Sequence, residues 1–208
     1  MLLLGVVAVA LGGLYILSQQ KGYIAFETPG VQLDLKGPFG GGKYVLSGSA
    51  PTAVFPRVYT PASLTVTREQ DGQRWRLYSH GPWGELSQIR VERGRTTTIA
   101  LGPPLLLRPE VHRGPGRVHI ELGILGRAGE KYARLVREDK GKLWEPKMRI
   151  IDEARTVLTS GRFEYGLGST CRYSWRVPEN LKGNFRIELE GDSGPFETLQ
   201  EVEWHSIE

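Results

Sequence analysis

The sequence predicts an all-β fold, with two small antiparallel β-sandwich modules in tandem after an N-terminal hydrophobic helix. Three observations predict it. Apolar residues recur in short alternating runs, the period of a half-buried strand. Gly (27) and Pro (13) are abundant in 208 residues, so turns are many and long helices few. The one long apolar run is confined to residues 2–17, ahead of the first alternating segment.

That run, LLLGVVAVALGGLYIL, carries no charge, and Lys21 is the first charged side chain. As a helix it spans about 24 Å, near the ~30 Å of a hydrocarbon core. Met1 and Ser18-Gln19-Gln20 extend it, and Tyr15 suits a membrane interface. Residues 1–21 therefore read as a transmembrane signal anchor or as a signal peptide. Ala8-Val9-Ala10 has the small-x-small form but falls inside the apolar run, and no Cys follows for a lipid anchor. Membrane contact through residues 2–17 and an extracytoplasmic body, periplasmic or cell-surface, are expected.

A first module is expected over residues 22–102. Residues 23–26 form a strand closed by Thr28-Pro29-Gly30, and 31–35 (VQLDL) alternate strictly. Residues 37–42 (GPFGGG) are a loop, 43–46 a short strand, and 47–61, with three prolines, a loop with extended pieces. Residues 62–68 (ASLTVTR) and 74–78 (RWRLY) form a hairpin across Asp71-Gly72, a strong tight-turn signal. Residues 87–92 (SQIRVE) and 95–101 (RTTTIAL) form a second hairpin across Arg93-Gly94. Gly102-Pro103-Pro104 marks the boundary, since paired prolines stiffen a connector and cannot continue a ladder.

The second module covers residues 105–208. Leu105-Leu106-Leu107 opens a strand, Arg113-Gly114-Pro115-Gly116 turns, and 118–125 (VHIELGIL) alternate. Residues 126–129 turn again and 130–137 return as a strand. Residues 148–151 and 157–158 flank a turn at 152–155. Residues 170–177 place Cys171, Tyr173, Trp175 and Val177 on one face, 178–184 form a corner, and 185–190 return. Glu188 and Glu190 then face Arg172, Ser174 and Arg176 as cross-strand ion pairs.

Two resemblances follow from these segments. The layout of residues 22–102, ending in IRVERGRTTTIAL, is similar to carboxypeptidase-regulatory-like and PEGA-like β-modules of bacterial surface and periplasmic proteins. It implies a non-catalytic spacer or binding platform. The strand 170–177, the Leu181-x-Gly183-x-Phe185 corner and the strand after it resemble the E–F corner of immunoglobulin-like and fibronectin-type sandwiches. In those folds a Tyr at the aromatic position bonds back to the backbone; Phe185 stands there instead.

Catalytic motifs are missing. His80, His112, His119 and His205 make no H-E-x-x-H, and a single cysteine, Cys171, allows neither C-x-x-C nor an intrachain disulfide. His119 shares a strand face with Glu121, opposite Val118 and Ile120. Gly37 to Lys43 lacks the hydroxyl residue and helix of a phosphate loop, and no G-x-S-x-G occurs. No enzyme activity, metal or other cofactor is expected. The net charge of +4 resides in residues 1–105, with ten Lys/Arg against six Asp/Glu, but its arginines are scattered, so nucleic acid is not an expected partner. One loop offers a binding surface: Tyr78, His80 and Trp83 stand together in a Gly/Pro-held segment, where exposed aromatics can anchor a protein or stack on a sugar. The expected role is that of a structural, scaffold or protein-interaction module contacting other envelope proteins. Polysaccharide binding around Trp83 is the alternative.

Overall fold

A computed structural model describes residues 21–36, 43–166, 170–190 and 195–207. The expected N-terminal membrane segment, residues 1–20, lies outside them. Among the described residues no helix is long and apolar enough to cross a membrane.

The described chain is all-β, with no helix of seven residues or more. Nine strands precede Gly102: β1 Gly22–Phe26, β2 Val31–Lys36, β3 Lys43–Ser47, β4 Thr52–Val54, β5 Arg57–Tyr59, β6 Pro61–Gln70, β7 Gln73–Ser79, β8 Ile89–Val91 and β9 Thr96–Ile99. Twelve follow it: β10 Leu105–Gly114, β11 Arg117–Leu125, β12 Lys131–Tyr132, β13 Arg134–Arg137, β14 Lys142–Leu143, β15 Lys147–Asp152, β16 Val157–Arg162, β17 Glu164–Tyr165, β18 Cys171–Arg176, β19 Asn184–Glu190, β20 Thr198–Gln200 and β21 Trp204–Ser206. They form five sheets, ordered β4-β1-β9, β5-β8, β14-β13-β7-β6-β2-β3, β17-β18-β11-β10-β20 (with β12 also on β11), and β16-β15-β19-β21.

Local turn chemistry explains the hairpins. Asp71 (φ 53°) and Gly72 (φ 70°) both take positive φ, as the two-residue turn between β6 and β7 demands, and Gln70 pairs with Gln73 across it. Arg155 (φ 64°) turns β15 into β16, with the Thr156 N–H donating to Asp152 Oδ1 at 2.7 Å. Gly116 (φ 64°) closes β10 onto β11. Alternation sets the faces: β11 buries Val118, Ile120, Leu122 and Ile124 while His119 stays exposed.

Two expected pairings are corrected. Residues 87–92 and 95–101 do not form a hairpin. Gly94 has the expected positive φ (68°), but β8 pairs with β5, and β9 pairs in parallel with β1. The turn is occupied from outside: the Gly94 N–H donates to Lys21 O at 2.8 Å and the Tyr23 N–H to Arg95 O at 2.8 Å. Gly22 fits because a Cβ there would lie 2.3 Å from Glu92 O. The strands around the 178–184 corner also do not pair. β18 lies against β11 and β17, and β19 against β15 and β21, so the corner carries the chain between sheets. The charge partners change accordingly. Glu188 takes Arg149 and Arg186 (2.8 and 2.5 Å), and Arg172 takes Glu121 (2.8 Å).

One contiguous apolar core runs through the described chain, from Ile24 to Phe196. Trp175 on β18 meets Phe185 on β19 edge to face, ring centres 5.4 Å apart, which packs one sheet on the other. Phe185 also contacts the His205 ring at 5.4 Å. Strands from both sides of Gly102 share a ladder, because β13 pairs with β7 from Arg134–Tyr78 to Arg137–Trp75.

The connector at Gly102 is tied down by a buried acid. Glu130 is fully buried, and its Oε1 accepts from the Gly102 N–H (2.7 Å) and the Tyr132 hydroxyl (2.8 Å). Its Oε2 accepts from the Ala128 N–H at 3.0 Å. Burial, reinforced by the Glu130 charge and hydrogen bond, pushes the Tyr132 hydroxyl well above its ordinary range, so it stays a donor. Arg127 reaches from the same turn to Glu27 Oε2 (3.1 Å) and Thr28 Oγ1 (3.0 Å), and its N–H donates to Gly102 O (3.0 Å).

Glu130→Ala strands three buried donors and is expected to destabilise the chain by about 3 kcal/mol in chemical denaturation; unchanged stability would mean that the carboxyl does not hold the connector. A second expectation concerns acid. Burial lowers the His205 pKa, helped by Arg113 and opposed by Glu203. The neutral ring is thus favoured by folding, and its stabilisation is complete above about pH 6.5, the unfolded value. It is lost as pH falls from there through the lowered folded value. His205→Phe, which keeps a ring against Phe185, should flatten that part of the stability–pH curve.

Candidate functional site

The three residues expected to form a binding loop are each held differently. Tyr78 lies on β7, its hydroxyl accepting from Arg76 Nη1 (3.1 Å), with the Arg76 and Arg134 guanidinium groups 5.7 and 5.6 Å from its ring centre. His80 is exposed. Trp83 is half-buried against the core, and its indole lies over Gly81, 3.2 Å from where a Cβ would stand. Packing and guanidinium groups thus already occupy much of the two ring surfaces.

A denser group of ligand-bearing side chains sits on the outward face of β10, β11 and β18. The β10–β11 hairpin turns through Pro115 and Gly116, with Gly114 paired to Arg117. Stepping outward by two residues keeps one face. His112 then stands directly opposite His119, and Glu110 directly opposite Glu121. β18 extends both rows, placing Ser174 opposite His119 and Arg172 opposite Glu121.

Two glutamates in direct register repel, and the flanking cations offset this. Arg172 Nη2 reaches Glu121 Oε1 at 2.8 Å, and Lys131 Nζ, on β12, reaches Glu110 Oε1 at 3.2 Å. Between them, one ligand atom each of Glu110, His112 and Glu121 lies within 4.8 Å of the others. A cleft of about 470 Å³ opens beside them, lined by His112, His119, Glu121, Glu164 and Arg172 among others. Carboxylate oxygen with imidazole nitrogen is a donor set suited to a divalent transition metal.

Sequence alternation puts His119 and Glu121 on one strand face, but no local pattern connects His112 and Glu110 to them. The signal was present in the Gly114-Pro115-Gly116 turn, from which the opposed pairs can be counted off. It required the strand to extend back through Pro109 and Arg113, a stretch without clear alternation.

Cys171 carries no chemistry here. It is buried opposite Tyr165, and burial, with the Glu145 charge, pushes its thiol up to about 12.

Comparison with family models, curated proteins and solved structures finds no match for this chain. Its functional reading therefore rests on its own residues.

At pH 8 a thiol of that pKa is ionised in about one molecule in ten thousand. The folded protein should not react with an aromatic disulfide reagent over minutes, and one equivalent should react once denaturant is added; rapid labelling of the native chain would contradict the burial of Cys171.

Proposed function

We propose that this chain is a non-enzymatic, membrane-tethered protein of the cell envelope. Two β-sandwich modules, one formed mainly before Gly102 and one after it, act as a single rigid scaffold that other envelope proteins contact. The observation that carries the reading is how the described chain begins. Lys21 and Tyr23 are bonded into the 92–95 turn, and β1 lies in the middle of its sheet, between β4 and β9. Only Ser18, Gln19, Gln20 and Lys21 separate this docked strand from the apolar run 2–17, and four residues reach at most about 14 Å. With the run in a bilayer, such a short connection would make a tether with little slack and hold the body close to the membrane.

Two further features support it. Arg90, Arg93 and Arg95 are exposed around the root of the tether, where a basic rim favours anionic headgroups. The Glu130 tie and the β7–β13 ladder bond residues on the two sides of Gly102 to each other, which supports a body that acts as one scaffold. The outward β10–β11–β18 face, with its acids at the centre and cations at the margins, offers a contact surface with geometric specificity.

Cell fractionation tests the reading. The full chain should sediment with membranes and resist extraction by 1 M salt, and its body should be accessible to protease added outside the cytoplasmic membrane. Deleting residues 2–17 should leave the body folded and release it to the soluble fraction. A full chain found soluble in the cytoplasm would overturn the proposal.

A further inference from the structure

We infer that the outward face of the β10–β11 hairpin is a binding site for a divalent transition-metal ion, zinc in the first instance. Glu110, His112 and Glu121 are its protein ligands. This assignment is independent of the tether and of the scaffold role.

Backbone register carries the argument. Glu110 and Glu121 are directly opposed, and His112 is two residues along from Glu110 on the same face. A one-residue slip of β10 against β11 would put Glu110 and His112 on the opposite face from Glu121, so the register that buries Val118, Ile120 and Leu122 also brings the donors together. The three ligand atoms lie within 4.8 Å of one another. The ligand–ligand edge of a tetrahedral zinc site with bonds near 2.1 Å is about 3.4 Å, so binding would draw these atoms together by about 1.4 Å at most.

Existing ion pairs do not fill the position. Arg172 and Lys131 each contact the Oε1 of one glutamate, from the β18 and β12 sides, and each carboxylate has two oxygens to share between a cation of the chain and a metal. Arg172 is itself 60% exposed, and pairs of this kind are worth little in water. They orient the carboxylates in the manner of partners outside a metal's ligand shell. Imidazole in the donor set favours zinc and its neighbours over magnesium or calcium, which take oxygen alone. The cleft lined by His112, His119, Glu121 and Ser174 is where a further ligand, water or a side chain from a partner, would enter.

The test uses the purified full-length protein in detergent, stripped with EDTA and exchanged into metal-free buffer. Zinc ions are titrated in competition with a chromophoric chelator. One equivalent should bind with micromolar or tighter affinity, and a tenfold molar excess of magnesium should not displace it. His112→Ala and Glu121→Gln should each weaken binding at least tenfold, and the double variant should abolish it. Glu164→Gln, which alters the cleft lining but not the three ligands, should bind as the wild type does. Metal-free thermal melts of each variant show that it is folded; because His112 is exposed, His112→Ala should melt as the wild type does and remains interpretable by itself. Failure of the wild type to bind zinc overturns the inference, and so does undiminished binding by the folded double variant.

Discussion

The buried carboxyl group of Glu130 is the constraint on which the joining of the two halves depends. An acid without solvent contact is costly unless its oxygens are used, and here both are. The donors come from separate parts of the chain: Gly102 from the connector, Ala128 from the tight turn after β11, and Tyr132 from β12. A side chain at Gly126 would collide with the carboxyl, 1.9 Å from its oxygen, so the turn must carry glycine at that point. Once the carboxyl is seated, Arg127 is directed at Glu27 and Thr28 on the far side of the connector, and Ala128 O receives the Glu85 N–H at 2.8 Å. One polar group thereby positions the β1–β2 loop, the 83–85 turn and the start of β10 together.

The consequence reaches into the sheets. β12 is only two residues long, and after it Ala133 donates its N–H to Tyr78 O at 2.7 Å. The chain then leaves β11 and joins β7 as β13. Lys131 anchors the same transfer, its carbonyl accepting from Ser79 Oγ at 2.6 Å. Gly102-Pro103-Pro104 is thus a covalent connector between strands whose neighbours interlock on either side of it. A linker of that composition in a chain without such ties would leave the halves free to reorient. Here the ladder and the carboxyl remove that freedom.

What the sequence revealed divides along the same line. The Asp71-Gly72 hairpin, the 152–155 turn and the buried face of Cys171, Tyr173 and Trp175 were legible because each is encoded within a few residues. The fate of Gly94 was not, because β1, seventy residues away in the chain, supplies the partners of that turn, and turn chemistry is silent about them. The same holds for Arg172, whose partner is Glu121 on β11 rather than Glu188 on the next strand. Glu130 escaped notice for a different reason: a glutamate beside a Gly-containing turn reads as solvated, and only the convergence of Gly102, Ala128 and Tyr132 around it reverses that reading. The face of Glu110 and His112 lies between these cases. Its turn was evident, but Pro109 and a run of charged residues concealed the strand behind it.

The opposed glutamates on that face bear directly on why it has the composition it does. Where a face needs only solubility, alternating signs across neighbouring strands suffice, as Arg149 with Glu188 and Glu190 shows on β15 and β19. On β10 and β11 the register instead sets acid against acid and imidazole against imidazole, with the cations displaced to β18 and β12. Acid opposite acid is unfavourable by itself, and Arg172 and Lys131 offset it from the neighbouring strands. The arrangement concentrates electron-pair donors at the centre and positive charge at the margins. A bound cation makes that distribution favourable, which gives the like-charge pair a physical reason that surface solvation does not supply.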